Sequence, residues 1–222
     1  AAIQKQIEAE KKAKTKEVNN RKNWPEVSIA DIATAISKVS RVPVDKISQS
    51  DNERLALMKK EMCKRVIGQD QAINELVQLI QRNYLGLRDP KRPIGNILFV
   101  GPSGVGKTYV CKQLAEIFFG SDKSLIRIDG GMLKEAGAVN TLIGAPPSFI
   151  GHDEEPLLLQ VKRHPNSVVL FDEIEKANPG IYDILLNIMD EGSATLNTGE
   201  KVDFSNTIII LTGNIGTREL KA

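Results

Sequence analysis

Residues 101–108 have the types and the spacing of a phosphate-binding loop. They read Gly-Pro-Ser-Gly-Val-Gly-Lys-Thr, which fits G-x-x-x-x-G-K-[ST], and they connect an apolar run at residues 97–100 to a helical pattern. Glycines let backbone amides turn inward around phosphate oxygens, and the start of a helix adds a partial positive charge. Lys107 can reach the β and γ phosphates of a nucleotide, and the Thr108 hydroxyl can ligate Mg²⁺. The predicted nucleotide contacts are Pro102, Ser103, Gly104, Val105, Gly106, Lys107 and Thr108.

Two adjacent acids, Asp172 and Glu173, follow an apolar run at residues 167–171 that suits a strand buried on both faces. Asp172 suits a hydrated Mg²⁺, so it joins Thr108 as a predicted metal ligand. Glu173 suits polarising an attacking water molecule, which favours hydrolysis over transfer to a substrate hydroxyl. We therefore predict ATP or ADP with Mg²⁺ as the ligands of this chain.

Asn214 follows a third apolar run, at residues 207–211. If this run forms a strand beside those carrying the phosphate loop and the acids, Asn214 lies near Glu173 and the γ phosphate, where it can position water. Without that context, an Asn before Ile-Gly is more typical of a turn. The predicted catalytic residues are Glu173, Asn214 and Lys107.

Strands and helices alternate after Gly95, and they must hold these residues in place. Alternation of this kind predicts an α/β fold in which helices cover both faces of a parallel sheet. Thr198-Gly199 also suits a hairpin turn that leads into residues 201–204. Strands are predicted at residues 96–100, 125–129, 167–171 and 207–211, and helices at residues 107–119 and 179–189.

The sequence before the alternating region is predicted to be helical. Ser28 with Asp31 predicts a helix start, and apolar periodicity predicts two more helices, over about residues 52–65 and from Asp70 to near Gly86. Residues 1–18 are predicted to form a charged, solvated helix, and the alternative is that they form the end of a coiled coil. The predicted parts are a charged helix and linker (1–27), a helical segment (28–95) and a phosphate-loop core (96–222).

Composition limits the class of protein. The 222 residues are 41% hydrophobic and 26% charged, which suits a folded chain rather than a disordered one. No apolar run approaches the roughly 20 residues that span a bilayer, so we expect no membrane and a cytoplasmic location. The net charge is +2, and the excess lies in the first 23 residues, so no nucleic-acid footprint is expected. Cys63, Cys111, His152 and His164 lack the spacing of metal ligands.

Several ordered motifs resemble the second ATPase domain of Clp-family AAA+ unfoldases and disaggregases, of the ClpB and ClpC type. They are Val-Ile-Gly-Gln (66–69), Arg-Pro-Ile-Gly (92–95), the phosphate loop, Leu-Ile-Gly-Ala-Pro-Pro (142–147), Phe-Asp-Glu-Ile-Glu-Lys-Ala (171–177), Val-Asp-Phe (202–204) and the run from 206 to 214. The resemblance covers roughly residues 28–217. It implies an AAA+ phosphate-loop NTPase fold, in which a separate lid subdomain lies outside this chain.

The resemblance also implies roles. Val66 and Ile67 would contact adenine, and Phe149 and Ile150 would stand in the pore loop of a hexameric ring that threads unfolded or aggregated polypeptide, with an adaptor or peptidase as a further partner. Phe149 keeps an aromatic grip that suits many substrates. The family's arginine finger and second sensor arginine lie beyond residue 222, so we expect the isolated chain to hydrolyse ATP weakly.

Departures from the family pattern leave alternatives open. The usual Met-Ser-Glu after Asp129 is Gly130-Gly131-Met132, and residues 153–158 and 192–196 also diverge, whereas the nucleotide residues are all kept. The leading interpretation is an ATP-driven protein unfoldase. One alternative is a nucleotide-dependent scaffold with a degenerate pore loop. Another is a nucleic-acid AAA+ ATPase, which the nearly neutral net charge of the body and the aromatic pore signature disfavour.

Overall fold

The computed structural model describes residues 27–40, 51–83, 89–135, 137–146 and 155–214. The charged helix expected at residues 1–18 lies outside them, and so do Phe149, Ile150 and His152. The helices are α1 (Ile29–Ser40), α2 (Asp51–Arg65), α3 (Asp70–Arg82), α4 (Lys107–Phe119), α5 (Ala138–Ile143), α6 (Leu159–Arg163) and α7 (Pro179–Glu191). The strands are β1 (Gly95–Val100), β2 (Leu125–Asp129), β3 (Val168–Asp172), β4 (Ser193–Thr195), β5 (Lys201–Asp203) and β6 (Ile208–Gly213).

Four of these strands form one parallel sheet in the order β1-β6-β3-β2. β6, the last strand in sequence, therefore lies between the strand before the phosphate loop and the strand that ends at the acids. In this register Val100 is opposite Gly213, and Asp129 is opposite Asp172. All four carboxyl ends consequently meet at one edge of the sheet, as the sequence predicted for the strands leading to residues 101, 172 and 214.

Helices cover both faces of the sheet, which confirms the predicted α/β architecture. Val168 and Leu170 pack with α2, α3 and α4 on one face, while Val169 and Phe171 pack with α5, α6 and α7 on the other. This alternation follows from the two-residue period of a strand. β3 is buried at every position because both of its faces are covered.

Three strands differ in extent from their predictions, and the first, β1, begins one residue early, at Gly95. The predicted strands at residues 167–171 and 207–211 run instead over Val168–Asp172 and Ile208–Gly213. The predictions ended where the apolar run ended, whereas ladder hydrogen bonds do not depend on side-chain polarity. The polar residues Asp172 and Thr212 thus belong to the sheet itself, and backbone pairing holds them rigidly.

The structure contains the predicted helix start at Ser28 and the predicted hairpin turn. Ser28 Oγ accepts from the Asp31 amide at 3.2 Å and an Asp31 carboxylate oxygen accepts from the Ser28 amide at 3.0 Å, which confirms the predicted start of α1. The Ser28 hydroxyl also donates to the Asp31 carboxylate at 2.7 Å, and this bond, together with the one from the Ser28 amide, lowers the pKa of Asp31. The antiparallel pair of β4 and β5 confirms the hairpin, whose turn holds Gly199 at a φ of 83°. None of the described helices combines the length and apolarity needed to cross a bilayer.

Candidate functional site

The candidate site lies at the carboxyl ends of β1, β3 and β6, where three loops leave the sheet. In open α/β sheets such an edge is the usual place for a ligand. The loop after β1 contains Gly104 at φ 83° and Gly106 at φ 95°, a region of backbone space that side-chain-bearing residues rarely adopt. α4 then starts at Lys107 with no side-chain cap and no acid in its first turn. Its amino end therefore stays positive, as anion binding requires.

Lys107 lies at the centre of this edge. Its ammonium donates to the carbonyl oxygen of Gly101 at 2.6 Å, to that of Pro102 at 2.9 Å and to Asn214 Oδ1 at 2.9 Å. Because an ammonium has three donors, all of them are used. The Asn214 bond crosses from α4 to the end of β6, so it brings the phosphate loop and Asn214 together.

Asp172 is the buried acid of the site, with a side chain only 8% exposed. Its Oδ2 accepts from Thr108 Oγ1 at 3.2 Å and from Arg127 Nη2 at 2.7 Å and Nε at 3.0 Å. Its Oδ1 accepts from Thr212 Oγ1 at 2.5 Å. A carboxylate in so little solvent requires partners of this kind, and the charged Arg127 is the strongest of them.

Glu173 lies beside Asp172 in a strained backbone conformation. Among the described residues it alone combines a side chain with a positive φ, at 54°. Its carboxylate accepts from Lys176 Nζ at 2.5 Å and from Asn214 Nδ2 at 3.3 Å, and its amide donates to Thr212 Oγ1 at 2.9 Å. The hydrogen bond to Glu173 raises the pKa of Lys176.

The donors present suit Mg²⁺ held partly by a nucleotide. Thr108 Oγ1 and Asp172 Oδ2 lie 3.2 Å apart, so one ion could contact a hydroxyl and a carboxylate together. In the part of the chain that the structure describes, no group of three or more His, Cys, Asp or Glu side chains could enclose a metal. Mg²⁺ in phosphate chemistry does not need one, because it takes one or two carboxylates and completes its shell with phosphates and water.

A sequence profile describing the AAA domain (Cdc48 subfamily) matches residues 92–222, more than half of the chain. The chain belongs to this AAA domain family. It is 46% identical over 216 residues to the chaperone protein ClpB 1 of Thermosynechococcus vestitus, an alignment that covers 96% of the chain and 25% of that relative. The match and the identity confirm the resemblance to Clp-family ATPase domains inferred from the motifs.

Two further relatives show the same relation. The negative regulator of genetic competence ClpC/MecB of Bacillus subtilis is 44% identical over 220 residues, covering 99% of the chain and 27% of that relative. The ATP-dependent Clp protease ATP-binding subunit ClpC of Staphylococcus aureus is 44% identical over 222 residues, with the same coverage of both. The chain thus spans about a quarter of the length of these relatives.

A cleft of about 420 Å³ lies between α3 and β1 of the AAA domain, and it reaches the phosphate loop. Gln69 Nε2 donates to the carbonyl oxygen of Val105 at 3.3 Å, which ties the segment before α3 to the loop. The lining residues include Gln69, Glu75, Leu98, Val100, Val105 and Lys107. The mixture of apolar side chains with a few polar groups is typical of a pocket for an organic ligand.

The AAA domain brings together five of the residues singled out in the sequence. The predicted nucleotide contacts at residues 102–106 form the loop that leads to Lys107. Val66 is buried in the core, Ile67 is 90% exposed, and the pore-loop pair is outside the described residues. The five grouped residues are Lys107, Thr108, Asp172, Glu173 and Asn214.

Three further residues of the AAA domain site were missed in the sequence. Thr212 and Arg127 interrupt apolar runs in β6 and β2, and a polar residue inside a buried strand is a usable signal. Their partners could not be inferred, however, because contacts at 2.5 and 2.7 Å with Asp172 depend on the register of the strands. Lys176 is three residues after Glu173, a spacing that a helical turn brings together.

Proposed function

We propose that this chain binds ATP with Mg²⁺ and hydrolyses it. The observation that carries the proposal is one chain of contacts: the Lys107 ammonium bonds to Asn214, and Asn214 bonds to the Glu173 carboxylate. A phosphate-binding cation and a group able to polarise water are therefore linked through a single side chain at the end of the sheet. Such an arrangement suits attack of water on a terminal phosphate.

Each residue has a distinct role in this proposal. The amides of residues 102–106 bind phosphate oxygens, and Lys107 exchanges its carbonyl acceptors for the β and γ phosphates. Thr108 and Asp172 would hold Mg²⁺, which would neutralise charge on the phosphates. Glu173 polarises water, and Asn214 orients the water and Glu173 together. The adenine contacts expected of Val66 and Ile67 are part of the same proposal.

Glu173→Gln tests the proposal, with Glu200→Gln as a surface control. Replacing the carboxylate removes the base and keeps the side-chain shape, so phosphate release should fall by about 10²–10⁴-fold while calorimetry still detects binding of ATP with Mg²⁺. Lys107→Ala should abolish the binding heat. If wild-type protein gives no binding heat with millimolar nucleotide and Mg²⁺, the proposal is wrong.

The finer function that we propose is ATP-driven unfolding or disaggregation of polypeptides by a hexameric ring. Support comes from the sequence resemblance and from relatives whose names include a chaperone protein and an ATP-binding subunit of a protease. Phe149 and Ile150 would grip the polypeptide in the pore, and an adaptor or peptidase would be a further partner. In the full-length protein, Phe149→Ala should slow substrate unfolding more than ATP hydrolysis. Phe149→Tyr keeps the aromatic ring, so it should unfold substrate at a rate near that of wild type.

The Glu173→Gln variant of the full-length protein distinguishes a motor from a scaffold. A motor loses its cellular function in the Glu173→Gln variant because it needs turnover, whereas a scaffold that needs only bound nucleotide keeps it. Binding of single-stranded DNA that weakens as salt rises would instead favour a nucleic-acid ATPase.

A further inference from the structure

Arg127 makes a contact that the proposed hydrolysis does not use. It lies in the middle of β2, opposite Leu170 of β3, and its guanidinium reaches towards the carboxyl end of the sheet. There two of its nitrogens donate to one oxygen, Asp172 Oδ2, at 2.7 and 3.0 Å. This is the same oxygen that accepts from Thr108.

The other oxygen of Asp172, Oδ1, is paired with Thr212 instead of Thr108. Oδ1 accepts from the buried Thr212 hydroxyl at 2.5 Å, and that hydroxyl also accepts from the Glu173 amide. Oδ2 is the oxygen that contacts Thr108, so an ion held by both residues would draw on the lone pairs of Oδ2. Arg127 holds those lone pairs in the structure.

We propose that Arg127 is a positioning residue that competes with Mg²⁺ for Asp172 Oδ2, an inference that rests on the proposed function. The Asp172 side chain is 8% exposed and has the Arg127 guanidinium beside it as a counter-charge, whereas the Arg127 side chain is 54% exposed. Because solvent surrounds half of its side chain, the guanidinium can leave Oδ2 and remain hydrated. Arg127 pairs with the carboxylate and orients it until the metal takes its place.

Competition predicts an unusual direction of effect. A residue that helps to hold the metal would weaken Mg²⁺ binding when it is removed, but a competitor would strengthen it. Arg127→Gln should therefore lower the Mg²⁺ concentration that half-saturates binding of a fluorescent, non-hydrolysable ATP analogue. We expect a decrease of roughly three- to tenfold, since solvent screens a half-exposed guanidinium and limits its Coulomb energy. The same variant should have a lower thermal midpoint in EDTA without nucleotide, because Asp172 loses its counter-charge.

Lys162→Gln is the matched control, because Lys162 makes an exposed ion pair with Glu200 at 3.0 Å and should change neither quantity. Arg127→Lys keeps one ammonium in place of a two-nitrogen grip, so its half-saturating Mg²⁺ concentration should lie between those of Arg127→Gln and wild type. If Arg127→Gln fails to fold, Arg127→Lys carries the test, with a value below wild type expected.

An equal or higher half-saturating Mg²⁺ concentration in the folded variant would overturn the inference and leave the proposed function standing. Absence of Mg²⁺-dependent nucleotide binding in wild type would instead overturn the proposed function. The two failures are therefore distinguishable in one set of titrations.

Discussion

The Thr212 hydroxyl connects the two acids of the site, and its removal should be costly. It donates to Asp172 and accepts from the Glu173 amide, and it is fully buried. Thr212→Val keeps the volume but leaves a buried carboxylate oxygen and an amide without this partner. We expect a loss of about 2 kcal/mol in the free energy of unfolding, measured by urea denaturation. ATP hydrolysis should fall as well, because both acids lose a positioning bond.

Thr212→Ser is the control for this prediction. Serine keeps the hydroxyl and removes only a methyl group, so its hydrolysis rate should lie near that of wild type. Equal unfolding free energies for Thr212→Val and wild type would show that the two hydrogen bonds contribute nothing net.

Gly130 leaves room for the backbone of Glu173. A Cβ at this position would lie 2.3 Å from the Glu173 carbonyl oxygen and 3.0 Å from that of Asp172. Gly130→Ala should therefore displace Glu173, and a displacement of about 1 Å in a catalytic group can lower a rate on the order of 100-fold. Phosphate release should fall while the affinity for nucleotide, measured by calorimetry, stays close to that of wild type.

Gly137→Ala provides the matched comparison, since nothing lies within 4 Å of a Cβ built there. Its φ of −80° is also accessible to alanine. If Gly130→Ala hydrolyses ATP as fast as Gly137→Ala, close packing at Gly130 does not position Glu173.

Contiguous motifs explain why part of the site could be predicted at the residue scale. Neighbouring residues in the sequence predict the roles of Lys107, Thr108, Asp172 and Glu173. The apolar strand before Asn214 predicts its role in the same way. Arg127 and Gly130 act on residues more than 40 positions away, through contacts with Asp172 or the Glu173 backbone. Only the register of β2 against β3 creates those contacts, and the sequence alone does not specify that register.

At the scale of elements, Gly192 lets the end of α7 pack closely against the backbone of the segment before β1. Its φ is 65°, and a Cβ there would lie against the Lys91 carbonyl oxygen at 1.8 Å. Gly192→Ala therefore combines backbone strain with a clash against another backbone segment. We expect it to lower the free energy of unfolding by roughly 3 kcal/mol or more, in a denaturant titration.

Gly199→Ala is the control that distinguishes backbone strain from the clash. The φ of Gly199 is 83°, yet nothing lies within 4 Å of its Cβ position, so Gly199→Ala introduces strain without a clash. A loss of about 1 kcal/mol is expected from strain alone. Similar losses for the two variants would mean that the contact between Gly192 and Lys91 is readily relieved.

The fold itself could be predicted at this scale because alternating strands and helices admit few arrangements. The predicted helix at residues 107–119 agrees with α4 at both ends, where flanking glycines adopt positive φ. Strand ends were less predictable, since Asp172 and Thr212 extend β3 and β6 past the apolar residues. The strand order β1-β6-β3-β2 could be stated only as a condition, because nothing local in the sequence encodes which strands are neighbours.

At the scale of the whole molecule, Cys111 can report how often the core opens. Its thiol is fully buried in α4, and burial together with the Asp172 charge raises its pKa to about 12. Thiolate is therefore scarce at neutral pH, and a thiol reagent should reach Cys111 only when the structure opens. The partly buried Cys63 should react faster.

Nucleotide with Mg²⁺ should slow this labelling of Cys111. A ligand that binds only the folded chain lowers the population of open forms, by about 100-fold at a concentration 100 times its Kd. The measurement uses Cys63→Ser, which leaves one thiol, and mass spectrometry over time. The complementary Cys111→Ser variant reports the rate at Cys63. Labelling of Cys111 that ignores nucleotide would contradict the expected coupling between the site and the core.

The ion pairs at the carboxyl edge of the sheet have a consequence for the working life of the molecule. Arg127 and Lys176 supply the fold with counter-ions of its own, so the acids do not depend on a passing cation for their stability. We expect the protein to stay folded between the release of one nucleotide and the binding of the next. If the chain hydrolyses ATP as proposed, its site is empty after each turnover, and stability without a ligand then matters as much as affinity for nucleotide.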